Sequence, residues 1–147
     1  MKVIEADMTE EATIYITELD RQRLERLVEL ARERDGAVNY EYLNRLEHEL
    51  DRAETVARAA VPPDVITMRS KVRLRDLDSG EELVYTLVFP TEADSGGGKI
   101  SVLAPIGTAM LGYRVGSRIE WQVPSGLRRI RVEEILYQPE AAGDANL

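Results

Sequence analysis

Residues 31–46, ARERDGAVNYEYLNRL, decide how the first half of this chain folds. Helical patterning runs into this stretch and out of it, and the break falls at Asp35-Gly36. Glycine tolerates the left-handed conformation that closes a helix, so Gly36 reads as a stop. Upstream, Thr17 and Asp20 have the spacing of a capping box with Asp in the Glu place. Between these limits Leu24, Leu27, Val28 and Ala31 form an apolar stripe at helical spacing. Downstream, Leu43, Leu46, Leu50, Ala53, Ala57 and Ala60 alternate by threes and fours, a heptad seam that Pro62-Pro63 ends. Stripe and seam on either side of a short bend predict an antiparallel helical hairpin. Its first helix has roughly 17 residues, so at ~1.5 Å each the hairpin extends about 25 Å.

Beyond Pro63 the period changes. Residues 71–75 alternate, with Val72 and Leu74 on one face, and residues 83–89 are strongly β-prone. Asp76-Leu77-Asp78-Ser79-Gly80 between them reads as a turn. Ser95-Gly96-Gly97-Gly98 reads as a flexible hairpin loop before a short strand at 100–103. Pro105 opens a short helix that Gly112 closes. Residues 117–123 and 127–137 form a hairpin around Pro124-Ser125-Gly126, with Ile130 and Val132 facing one way and Arg129, Arg131 and Glu133 the other. The tail after Pro139 is small and polar and is expected to fray. The expected fold class is α+β: a short N-terminal helical hairpin at 13–61, then an antiparallel sheet with a short helix at 62–140. Residues 1–12 and 141–147 are expected to be flexible ends.

The chain has 147 residues, a formal net charge of −8 and a pI of about 4.8. Duplex binding replaces counterions with a basic surface, so an acidic chain points to a protein partner instead. The absence of cysteine excludes disulfides, thiolate metal sites and cysteine nucleophiles. No apolar run approaches ~18 residues and no signal segment opens the chain, so the expectation is a cytoplasmic protein with no membrane contact.

A search for chemistry returns little. His48, the only histidine, lies between Glu47 and Glu49 off the seam and reads as a solvated position. Gly96-Gly97-Gly98-Lys99 lacks the remaining residues of a phosphate loop and a following helix. Asp76-x-Asp78-x-Gly80 lacks the further ligands of a calcium loop. Trp121 reads as a core or edge aromatic, with a partner contact as the alternative. Glu33, Asp35 and Glu41 cluster at the hairpin tip. Magnesium takes only one or two protein carboxylates plus phosphates and water, so such a tip could complete a metal site in a partner. Solvated tip charges are the ordinary alternative.

Ile100-Ser101-Val102-Leu103-Ala104-Pro105-Ile106-Gly107, followed by Leu111-Gly112 and Val115-Gly116, resembles the C-terminal domain of the Gre transcript factors. There a segment I-S-x-x-S-P-I precedes a short helix, L-[IL]-G and a final hairpin. Residues 72–82 match the first hairpin of that domain. Residues 129–139 and the early run 14–20 are similar to the Rnk-type branch, the regulators of nucleoside diphosphate kinase. The resemblance covers about residues 13–140 and implies an FKBP-like C-terminal domain.

The resemblance also implies a partner. Gre factors dock by this domain on the rim of the RNA polymerase secondary channel, and the hairpin enters the channel. An Asp and a Glu at the tip help to hold a catalytic magnesium. Asn39, Glu41 and Tyr42 match the end of the Gre tip pattern D-L-x-E-N-A-E-Y. Val38 stands where the metal-holding Glu should be, and Asp35 is near the family's Asp position. The hairpin is also short, and a small misplacement is expensive for catalysis. The docking Ser-Pro pair carries onto Ala104 and Pro105; Pro105 reads equally as a helix-starting proline.

The expected function is therefore a non-enzymatic, monomeric transcription regulator that binds RNA polymerase near the secondary channel and competes with Gre-type factors. It would need no cofactor or metal and have no catalytic residues. Its partner-binding residues would be Ser101, Ala104, Pro105, Ile106 and Gly107. Its hairpin tip would comprise Asp35, Gly36, Asn39 and Glu41. One alternative is a transcript-cleavage factor using Asp35 and Glu41. Another is a module that binds a metabolic kinase directly. Prolyl isomerase activity is disfavoured by a single Phe and a single Trp.

Overall fold

Thr17 starts the first helix as the sequence requires: its Oγ1 accepts a hydrogen bond from the Asp20 backbone N–H at 3.2 Å. In this computed structural model, which describes residues 14–35, 40–123 and 126–143, that helix is α1 (Glu18–Asp35). It packs against α2 (Tyr40–Asp51). Leu24, Val28 and Ala31 are buried on α1, and Leu43, Leu46 and Leu50 on α2. Arg32 adds a tie across the pair, donating to Asn44 Oδ1 at 2.8 Å and Glu47 Oε1 at 2.7 Å.

The seam read from the sequence runs to Ala60, but α2 stops at Asp51. Residues Ala53–Val56 form a strand, β2, parallel to β1 (Ile14–Thr17), with Ile14 opposite Ala53 and Thr17 opposite Val56. The physical reason is what each alternative offers the backbone. Past Leu50 the seam holds only alanines, and Ala57 and Ala60 are exposed. β1 instead provides a strand edge for β2. Arg21 fixes the crossing by donating to the carbonyls of Leu50 (3.0 Å) and Ala53 (2.8 Å) and to Thr55 Oγ1 (2.6 Å). A single 3-10 turn, Arg58–Ala60, then leads to Pro62.

The second half is a five-stranded sheet in the order β5-β4-β3-β7-β6. Its strands are β3 (Lys71–Asp76), β4 (Glu82–Val88), β5 (Lys99–Ser101), β6 (Arg118–Val123) and β7 (Gly126–Tyr137). Helix α3 (Pro105–Met110) lies between β5 and β6 in sequence. The expectation of an antiparallel sheet fails at one pair: β5 runs parallel to β4, with Thr86 opposite Lys99 and Val88 opposite Ser101. Nor do residues 95–98 close a hairpin. Two 3-10 turns, Pro90–Glu92 and Ser95–Gly97, carry the chain back along β4 before β5 begins. Asp94 and Lys99 exchange backbone hydrogen bonds at 2.9 Å each to close that return.

Alternation places Val72 and Leu74 of β3 inward, with Ile130 and Val132 of β7, Leu87 of β4, Ile119 of β6 and Met110 of α3. These residues and Ile16, Leu24, Val28, Leu46 and Leu50 form one buried cluster, so hairpin base and sheet share a core. Gly112 lets them meet. Its φ is +87°, and a Cβ there would lie 2.6 Å from Ile14 Cγ1.

The tail departs from expectation directly after Pro139. Pro139–Ala142 is one helical turn, α4, because Gln138 caps it: Oε1 accepts from Ala141 N–H at 3.1 Å. Gln138 Nε2 also donates to the carbonyls of Val65 (2.7 Å) and Pro62 (2.8 Å), tying the C-terminal segment to the start of the sheet half. Residues 144–147 lie outside the described residues.

Candidate functional site: the helix-start surface and the hairpin junction

The segment from β5 into α3 is held by its own hydrogen bonds. Ser101 Oγ accepts from Leu103 N–H at 3.0 Å, and the Ser101 carbonyl accepts from Ala104 N–H at 3.0 Å. Thr108 Oγ1 donates back to the Val102 carbonyl. Ala104 is the N-cap of α3 in extended conformation (φ −70°, ψ 152°), and its methyl caps nothing. Pro105 follows at the first helical position, where its fixed φ suits the helix and its missing N–H leaves one donor fewer to satisfy.

The five residues expected to bind a partner thus separate into two kinds. Ala104, Pro105 and Ile106 are partly exposed at the start of α3. Ser101 is partly exposed as well, but its hydroxyl and carbonyl accept from Leu103 and Ala104, and Gly107 is buried. A Cβ on Gly107 would sit 2.0 Å from the Ser101 carbonyl oxygen, so this position requires glycine to let α3 close on β5.

At the other end, Asp35 closes α1 and Glu41 lies in the first turn of α2. Gly36, Val38 and Asn39 lie outside the described residues. The 18 residues of α1 correspond to about 27 Å and the 12 of α2 to about 18 Å. His48 is exposed on α2 and Glu33 is exposed on α1. The Trp121 side chain lies outside the described residues. Among the described residues, no group of three or more His, Asp or Glu side chains is placed to hold a metal ion.

Asp76 is turn chemistry, as its spacing suggests. Its Oδ1 accepts from Asp78 N–H (2.8 Å) and Ser79 N–H (3.1 Å), and Oδ2 accepts from Arg128 (2.9 Å). The backbone N–H of Ser79, then that of Asp78 and the Arg128 guanidinium, hold its carboxyl below the usual range.

A titratable junction was not legible as such in the sequence, where Asp20 reads only as a cap residue. Asp20 is 8% exposed, and burial followed by repulsion from Glu140 pushes its carboxyl up to about 6. Arg23, Arg69 and Arg58 act in the opposite direction. Glu140 Oε1 meanwhile accepts from Thr67 Oγ1 at 2.7 Å. Helix α1, the turn before β3 and α4 therefore meet around one buried acid. Apart from Arg23, its partners lie far away in sequence, so local spacing does not announce it.

Known proteins match this architecture. Residues 61–137 match the family described as transcription elongation factor GreA/GreB, C-terminal, and residues 13–56 match the Rnk N-terminus. A solved structure, the prokaryotic transcription elongation factor GreA/GreB from Nitrosomonas europaea, is 44% identical and superposes with a TM-score of 0.73. That match covers 85% of this chain and 100% of the other. The chain belongs to the GreA/GreB transcription elongation factor family. Its N-terminal match marks the Rnk-like branch: it is 41% identical over 133 residues to the regulator of nucleoside diphosphate kinase of Escherichia coli K12. That similarity covers 90% of this chain and 95% of the relative. It is 36% identical to the transcription elongation factor GreA of Chloroherpeton thalassium, over 81% of this chain and 84% of that protein. These relatives are named as regulators or factors, not as catalysts. Among the described residues, no helix is long and apolar enough to cross a membrane.

Proposed function

We propose that the protein binds RNA polymerase at the rim of the secondary channel and regulates transcription without stimulating transcript cleavage. One observation carries the reading: within the stretch that matches the GreA/GreB C-terminal part, Ala104, Pro105 and Ile106 stand partly exposed on a helix start whose backbone is fixed from beneath. In this reading 62–140 is an FKBP-like docking unit. Residues 13–61 are a short hairpin that occupies the channel mouth, and Val38 deprives its tip of a metal ligand. Regulation of a nucleoside diphosphate kinase, the property in the name of the Escherichia coli relative, would follow through transcription.

The test is competition. Purified protein should bind core polymerase at micromolar concentration and be displaced by a Gre factor. Pro105→Glu should weaken that binding at least about tenfold, or about 1.4 kcal/mol, while leaving the melting temperature nearly unchanged. Absence of binding refutes the proposal. In a backtracked elongation complex the protein should not accelerate RNA cleavage; acceleration lost in Asp35→Asn would establish the cleavage-factor alternative. Saturable binding to the purified kinase would establish direct contact instead.

A further inference from the structure

A groove of about 790 Å³ runs between α1 and the sheet half. One wall is α1, with Arg23, Arg26, Leu27, Leu30 and Arg34. The other includes Arg69, Phe89 and Leu103. The chain carries a net charge of −8, yet this lining contains four arginines and no carboxylate.

The two walls hold their cations differently. Arg69 is the only described non-glycine residue with positive φ, at 68°. That conformation is costly for a residue with a side chain. Glu92 holds its guanidinium by bonds at 2.7 and 3.0 Å, and it lies 5.6 Å from the centre of the Phe89 ring. On α1, Arg26 and Arg34 are exposed and make no ion pair among the described residues. Leu30 lies between them and is 41% exposed, an uncovered apolar side chain flanked one turn away on each side by a cation.

The arrangement selects among anionic ligands. Arg23 to Arg34 spans about 16 Å of helix. A compact polyphosphate needs cations that converge. Here they are strung along three turns with Leu27 and Leu30 between them. Both aspects fit a helix that alternates apolar residues with carboxylates, since arginine pairs with carboxylates in a fork and leucines accept an apolar stripe.

We propose that this groove is a docking site for an acidic amphipathic helix of a protein partner. Glutamates or aspartates of that helix would pair with Arg26 and Arg34, and its apolar face would cover Leu27, Leu30 and Leu103. The groove adjoins the helix-start surface proposed for polymerase at Leu103, but its test contains no polymerase and its variants lie on α1, so either proposal can fail alone.

The experiment is fluorescence anisotropy with the full-length protein and a labelled, helix-stapled peptide of about four turns, with leucines on one face and glutamates flanking them. Binding at micromolar concentration is expected, falling at least about tenfold in Arg26→Glu/Arg34→Glu and in Leu30→Asp. These side chains are exposed, so circular dichroism and melting temperature should be unchanged. The same peptide with glutamine for glutamate should not bind. No binding, or equal binding by the variants, overturns the proposal. So does equal binding of a scrambled peptide, which would show charge attraction without a groove. Displacement of the peptide by inorganic tripolyphosphate at lower concentration than by unlabelled peptide would make this a phosphate site and also overturn it.

Discussion

Asp20→Asn should make the protein more stable near neutral pH, and the gain should disappear in acid. The folded carboxyl titrates at about 6 against a reference of 3.8, because burial and Glu140 disfavour its charge. The folded state therefore holds more protons than the unfolded chain between these values, and stability falls as pH rises through the window. A shift of about two units at 1.36 kcal/mol each lowers the folding stability by about 3 kcal/mol once pH exceeds 6. Asparagine keeps the shape, never ionises, and leaves the backbone N–H that Thr17 caps untouched. Urea unfolding of both proteins, followed by circular dichroism from pH 4 to 8, isolates this group because all other titrations cancel in the difference. The difference should rise by about 3 kcal/mol in favour of the variant, mostly between pH 4 and 6. A flat difference, or one that favours Asp20 increasingly above pH 6, would mean that the arginines around the junction dominate and would refute the reasoning.

Two further perturbations follow. Gly107→Ala places a methyl 2.0 Å from a backbone carbonyl, so α3 must move off β5; a loss of at least about 2 kcal/mol is expected in thermal unfolding, where overpacking costs 1–3. Gln138→Ala removes the cap of α4 and the two bonds to Pro62 and Val65 carbonyls, leaving a buried acceptor behind, and should cost about 2–3 kcal/mol in urea unfolding with earlier hydrogen exchange at residues 140–142.

Much of the fold was legible because its signals are local. The Leu24–Val28–Ala31 and Leu43–Leu46–Leu50 spacings specify two helices with facing apolar stripes, and both are present. Alternation in 71–75 and 127–137 specifies strands, and Pro105 and Gly112 bound α3 as expected. The misreadings share one cause. Alanines at 53, 57 and 60 fit a helical seam, but pairing with β1 overrides that pattern, and strand pairing is a long-range property. The β4–β5 return looked like a hairpin because glycines mark a turn without stating which way the chain leaves it. Gln138 gave no sign that it reaches back to Pro62 and Val65.

The candidate site divides along the same line. Residue order alone determined the family resemblance, the Ala104-Pro105 helix start and the Val38 departure at the tip, because these depend on which residues stand at which spacing. Only the tertiary structure decided that Gly107 is buried against β5 while Ser101, Ala104, Pro105 and Ile106 remain partly exposed. It also decided that Asp20 is a buried acid and that four arginines of an acidic chain gather in one groove. Burial, repulsion and charge concentration depend on distances between residues remote in sequence, and those distances exist only once the hairpin has packed on the sheet.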